Sequence, residues 1–221
     1  MKIFLFFIFI FYLLSVCFPQ VTNPVVICTV KFNDKPLEGV SVLVKGTIEE
    51  SELLTTGSAG KVNLTLNIND NYRVEIFKPG FIKQRIEIST KIIGSIDGFL
   101  PYNINLSLFR MFTGLDTSFF RKSLFKFQID SKKKVFEEDL AYKNVLKKDF
   151  EAFKKKYDFA LNNDIIFNTK AGDKELAENR YEDAWLFYDK AFQLKPENKN
   201  LYEKISEVKK MCLQKFTIDA G

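Results

Sequence analysis

Catalysis needs side chains that titrate, attack or ligate, and this chain is short of them. Among its 221 residues there is no His, and there are 3 Cys. The missing His excludes Ser-His-Asp and Cys-His nucleophile pairs. It also excludes His general acid–base catalysis and the His-bearing zinc sites of hydrolases and deaminases. Three thiols fall short of a four-thiolate zinc site. Carboxylates occur in adjacent pairs, Glu49-Glu50, Glu137-Glu138 and Glu182-Asp183. Neighbours on a strand or helix point apart, so these pairs read as solubility and not as acid–base machinery. Gly57-Ser58-Ala59-Gly60 is too short for a phosphate loop and lacks its Lys. The residues therefore predict a protein that is not an enzyme, with no catalytic residues, no cofactor and no metal.

What remains is binding, and charge narrows it. The formal net charge is +5, divided unevenly. Residues 18–110 carry 10 Lys/Arg against 9 Asp/Glu, and residues 157–221 carry 10 against 12. Residues 121–156 carry 12 against 6. That middle segment invites a nucleic-acid reading. Glu137, Glu138, Asp149 and Glu151 interleave with its lysines, however, so a solvated helix face with some pull toward anionic surfaces is preferred, and no nucleic-acid partner is expected.

The compartment is written at the start. Lys2 precedes an apolar run from Ile3 to Val16 broken only by Ser15. A spanning helix needs about 20 apolar residues, so this shorter run predicts a signal peptide over 1–17. Ser15 and Cys17 are small and two apart, and Pro19 stops a helix just past that site. Two other fates are open: an uncleaved anchor, and lipidation of Cys17, since Leu14-Ser15-Val16-Cys17 resembles a bacterial lipobox apart from Val16. Removal after Cys17 leaves Cys28 and Cys212, which can pair or stay as buried free thiols.

From Val25 to about Phe109 the apolar period is two. Val62, Leu64 and Leu66 alternate with polar residues, as do Tyr72, Val74, Ile76 and Ile104, Leu106, Leu108. Val25 to Phe32 and Val40 to Val44 are β-branched runs. Turn residues separate them at Asn33-Asp34-Lys35-Pro36, 57–60, Asn69-Asp70-Asn71 and Pro79-Gly80. The spacing predicts an antiparallel sandwich of about seven strands over 20–112. Residues 113–135 read as a linker able to hold one extra strand, from Ser123 to Ile129.

From Phe136 the period lengthens. Phe136, Leu140, Leu146, Phe150, Phe153, Tyr157 and Leu161 recur mostly three or four apart, which predicts a helix of about 25 residues. Asn162-Asn163-Asp164 can cap a second helix or bend the first. The chain thus reads as β then α, with a helical module over 136–221.

Both halves carry a resemblance. Val25 to Val30, then Lys35-Pro36-Leu37-Glu38-Gly39-Val40, Thr56-Gly57 to Gly60-Lys61-Val62, and Tyr72-Arg73-Val74 to Pro79-Gly80-Phe81 resemble, in that order, the carboxypeptidase regulatory-like (transthyretin-like) sandwich domain. Its acidic turn is absent at 57–60, so no calcium is expected there. Gly39, Gly60 and Gly80 are expected at tight turns or positive φ. Residues 165–212 resemble one tetratricopeptide repeat. Gly172, Ala184 and Ala191 match its small crossing residues, Tyr181 and Tyr188 its aromatic fillers, and Pro196 its stop, while Asn168 stands where the family often has Trp. Trp185, Tyr188 and Phe192 read as core packing.

The resemblance implies a non-catalytic cell-envelope adaptor of the periplasm, outer membrane or exterior. It binds a protein partner, or a second copy, through the helical module. The open face of the repeat's first helix would carry Thr169, Asp173 and Leu176. The alternative is a ligand- or glycan-binding protein using the sandwich loops, with Phe77, Phe81 and Phe99 gathered at one end. Export has a direct outcome: N-terminal sequencing of protein purified from its native cells should begin near Phe18, and an intact Met1 in the soluble fraction would sink the idea.

Overall fold

The computed structural model describes residues 23–48, 50–92 and 98–219. The expected signal segment, with Cys17, lies outside them. Strands come first: β1 (Val25–Phe32), β2 (Lys35–Pro36), β3 (Ser41–Gly46), β4 (Glu52–Thr55), β5 (Lys61–Thr65), β6 (Asn71–Phe77), β7 (Gln84–Ser89) and β8 (Tyr102–Ser107). A 3-10 turn at Ser118–Arg121 leads to β9 (Phe125–Asp130) and β10 (Val135–Glu138). Three helices follow: α1 (Leu140–Ala177), α2 (Tyr181–Leu194) and α3 (Lys199–Asp219). None of the described helices is long and apolar enough to cross a membrane.

The strands form two sheets. In the first, β1 pairs antiparallel with β2 and β5 and parallel with β8. The second runs β10-β9-β7-β6-β3-β4. The turn spacing predicts antiparallel pairing throughout, yet β1–β8 and β7–β9 are parallel. The chain leaves the second sheet after β7, adds β8 to the first and returns as β9. No hairpin links these partners, so nothing forces them antiparallel.

Inward residues of both sheets meet in one core. Val26, Cys28 and Val30 of β1 are fully buried, as are Val42 of β3, Val74 and Ile76 of β6 and Ile86 of β7. Burial among these side chains pushes the Cys28 thiol up to about 12, so it stays protonated and inert at neutral pH. Cys28 and Cys212 are both free. The three glycines expected in turns do have positive φ. Gly60 is the most demanding, since a Cβ there would lie 2.5 Å from the Val30 carbonyl oxygen.

One buried carboxylate ties down a corner. Asp70 is 2% exposed and accepts from the N–H of Thr47 at 3.1 Å and of Asn71 at 2.7 Å, and from the Thr47 hydroxyl. Burial alone would raise its pKa, but these donors outweigh burial and hold it below the usual carboxylate range. Glu75 faces outward from β6 under Lys83, at 2.7 Å, with Arg85 at 3.3 Å and Lys45 at 3.6 Å. Lys83 first, then the other cations, lower its pKa.

The start of the helical region departs from the periodicity. Phe136 heads the expected helix but lies in β10, 3% exposed in the sandwich core, opposite Ile129. The helix begins four residues later, where the Asp139 carboxylate accepts from the Tyr142 N–H at 2.9 Å. It then runs 38 residues without a break through Asn162-Asn163-Asp164, so those residues do not cap a second helix.

The strands and the helices share an aromatic core. Phe109, just past β8, contacts Phe153 and Tyr157 of α1, with ring centroids 5.4 and 5.0 Å away. Phe120 of the 3-10 turn meets Phe153 edge-on at 4.7 Å. The Tyr157 hydroxyl accepts from the Arg110 N–H at 3.2 Å. Ile82, Phe120, Phe153 and Tyr157 are buried there. The packing sets a measurable cost: Phe153→Ala should lower unfolding stability by about 3–5 kcal/mol in urea titration, whereas a change below about 1 kcal/mol would show the cluster to be loose.

Candidate functional site

The three residues expected to bind a partner all lie on α1, where they also make contacts within the helical region. Thr169 is half-buried and its hydroxyl donates to the Ile165 carbonyl at 2.8 Å. Asp173 accepts from the Tyr188 hydroxyl of α2 at 2.6 Å and from the Lys204 ammonium of α3. Burial would raise the Asp173 pKa, but Lys204 and Tyr188 outweigh it and lower it. Burial, then the hydrogen bond and charge of Asp173, push the Tyr188 phenol far up. Leu176 is half-buried against the helical core. Asp173 and Leu176 pack α1 against α2 and α3, while the Thr169 hydroxyl is used within α1 itself. α3 folds back far enough for Lys204 to reach α1.

The small residues fall where close approach needs them. Ala184 and Ala191 are fully buried, and a Cβ on Gly172 would lie 2.5 Å from the Tyr188 ring. α2 ends at Leu194, two residues before Pro196. The sandwich aromatics do not gather. Phe81 meets Phe32 at the far end of β1, at 5.2 Å, while Phe99 precedes β8 at the Val26 end.

An open site lies elsewhere on α1. The 112–116 loop bends at Gly114, φ 79°, and closes with the Leu115 N–H on the Phe112 carbonyl at 3.2 Å. The Ser118 N–H donates to Asp116 at 2.9 Å and lowers its pKa. Phe112 packs its ring 5.5 Å from Tyr157, which fixes the loop beside the helix. Between loop and helix runs a cleft of about 800 Å³, lined by Phe112, Leu115, Lys156, Phe159, Asn163 and Phe167 among others.

Phe159 is 69% exposed, Phe167 66% and Ile166 51%. Phe159, Asn163 and Phe167 are four residues apart, so they share one face of the helix. Sequence reasoning passed over this face. Its signal was present, because these apolar residues fall off the Phe153-Tyr157-Leu161 stripe that faces the core. Among the described residues no group of three or more His, Cys, Asp or Glu side chains is placed to hold a metal ion. The arrangement can hold an apolar surface, with Lys155, Lys156, Asp116 and Asp164 beside it.

No protein-family model and no curated protein matches this chain. Solved structures align weakly with part of it. The dioxygenase domain of a dioxygenase carbohydrate-binding protein fusion from Streptomyces sp. SirexAA-E is 12% identical, covering 41% of this chain and 84% of that one, with a TM-score of 0.28. The pilus adhesin SpaC from Lactobacillus rhamnosus GG is 14% identical over 53% of this chain and 14% of its own, with a TM-score of 0.30. Its C-terminal fragment gives 12% identity over 52% and 43%, at 0.30. Likenesses this faint carry no function across. The described residues form a β-sandwich-like region followed by three helices, with an open aromatic cleft on the first.

Leu176 now has a different expected behaviour from an open docking residue. Leu176→Arg should cost about 1–3 kcal/mol in urea unfolding, because the charge enters a packed helix junction. Unchanged stability would return Leu176 to the surface.

Proposed function

We propose that this protein is a non-catalytic binding protein of the cell envelope that takes a protein partner on the aromatic cleft of α1. One observation carries the reading: three large apolar side chains, Phe159, Ile166 and Phe167, stand exposed on one helix beside a preformed cleft. Apolar surface of this kind costs about 25 cal/mol per Å² while it faces water. A contiguous exposed patch marks an interaction site far more often than scattered single residues do. The helical packing around Gly172, Ala184 and Ala191 supports the tetratricopeptide-like resemblance, whose fold is a recognition fold. The opening apolar run supports export.

The lining says what the partner presents. Lys155 and Lys156 flank the cleft together with Asp116 and Asp164, so its charges are balanced and its aromatics dominate. An amphipathic helix complements them, laid into the groove by its apolar stripe. The aromatics hold the complex.

The test places a photo-cross-linking residue at Asn163 and exposes the chain to envelope extract. One partner should cross-link, and after purification it should bind the wild type. The double variant Phe159→Ser, Phe167→Ser should bind that partner at least about tenfold more weakly, with its thermal unfolding unchanged. No cross-link, together with a specific hit on a glycan array, would replace this reading with ligand binding by the sandwich loops.

A further inference from the structure

A second cleft, of about 710 Å³, lies where the N-terminal half of α1 crosses the sandwich. This falls within the 300–1,000 Å³ typical of small-molecule sites. Its floor comes from both sheets and the 3-10 turn: Leu106 of β8, Phe109, Phe119, and Leu124 and Phe125 at the start of β9, with Phe150 of α1 as a wall. None of these six side chains carries a polar atom. Gln84 also reaches the cleft, but its amide nitrogen is committed to the Ser107 carbonyl at 2.7 Å.

The mouth is different. Lys143, Lys147 and Lys154 line it, with Glu151 as the one carboxylate. Lys143 is paired with Glu138 at 2.8 Å. Lys147 and Lys154 have no ion pair among the described residues, although the lysines and carboxylates of neighbouring turns do pair, as Lys122 does with Asp149. Lys147, Phe150 and Lys154 follow three- and four-residue steps, so two cations and an aromatic wall lie along one helix face. That face is not the one bearing Phe159 and Phe167.

Asn105, Ser107 and Asn144 line the cleft as well, but its rings lie together and its cations stand at the mouth, which suits a ligand polar at one end. We infer that this cleft binds a long-chain carboxylate, with its alkyl chain between the Phe109, Phe119 and Phe150 rings and its carboxylate at Lys147 and Lys154. Each methylene buried in the floor contributes about 0.8 kcal/mol. The two ammonium groups supply the counter-charge that the chain itself leaves out. This site is separate from the partner cleft, and either can fail without the other.

Calorimetric titration of the whole described chain with sodium laurate, kept below its aggregation threshold, tests the assignment. Saturable binding at about one ligand per chain is expected, weakening as salt rises from ~50 to ~500 mM. Dodecanol, which has the same alkyl chain but no charge, should bind at least about tenfold more weakly. The exposed double change Lys147→Gln, Lys154→Gln should cost laurate a similar factor while leaving circular dichroism and dodecanol binding as in the wild type. Absence of saturable binding, equal affinity for the alcohol, or an unaffected double variant would overturn the inference. So would binding to anionic phospholipid vesicles that laurate fails to displace, since the lysines would then serve a membrane surface.

Discussion

The contact of Phe109 with Phe153 and Tyr157 is the constraint on which the rest of the molecule depends. It joins the end of the last strand of one sheet to the middle of the long helix. The helix cannot slide or rotate against the sandwich without breaking several ring contacts at once, and aromatic pairs add to the area they bury. The Arg110 N–H on the Tyr157 hydroxyl fixes the same junction by a directional bond. Both clefts inherit their shape from it. The 112–116 loop is held beside α1 by Phe112 on Tyr157, and the lysine-rimmed cleft has Phe109 in its floor.

Six of the 24 Phe meet at this junction. The sandwich core itself is mostly Val, Ile and Leu, as β-branched packing favours. At the junction Phe109, Phe112, Phe119, Phe120, Phe150 and Phe153 fill the irregular space between the strands and the long helix. A cut after 112 would remove β9 and β10 from the sheet that contains β7.

Most strands were legible because period two reports which face is buried. β1 matches the run Val25 to Phe32, and β3, β5, β6 and β8 lie on their expected runs. Parallel pairing was not legible, since it depends on where the chain crosses between sheets and leaves no local trace. The start of α1 was misplaced because Phe136 to Leu140 is a four-residue step that suits a helix, while Phe136 answers to Ile129 across a ladder. The site was hidden for a related reason. A stripe drawn through the best-spaced apolar residues finds what faces the core. Phe159 and Phe167 became visible only once the packed face was known.

The two parallel pairings also set the order in which the protein can assemble. Val26 must wait for Tyr102, and Ile86 for Phe125, before either ladder closes. Such pairs close long loops before any contact rewards them, so the sandwich has a high contact order and folds slowly beside the local, fast helices. On a chain emerging from the ribosome, the edge of β7 stays unpaired until β9 has been made. An open edge of alternating Ile86 and Ile88 is a template for pairing with another chain. The interval between synthesis of Ser89 and Phe125 is therefore the stretch of this protein's life most exposed to aggregation, and a holding chaperone would act there.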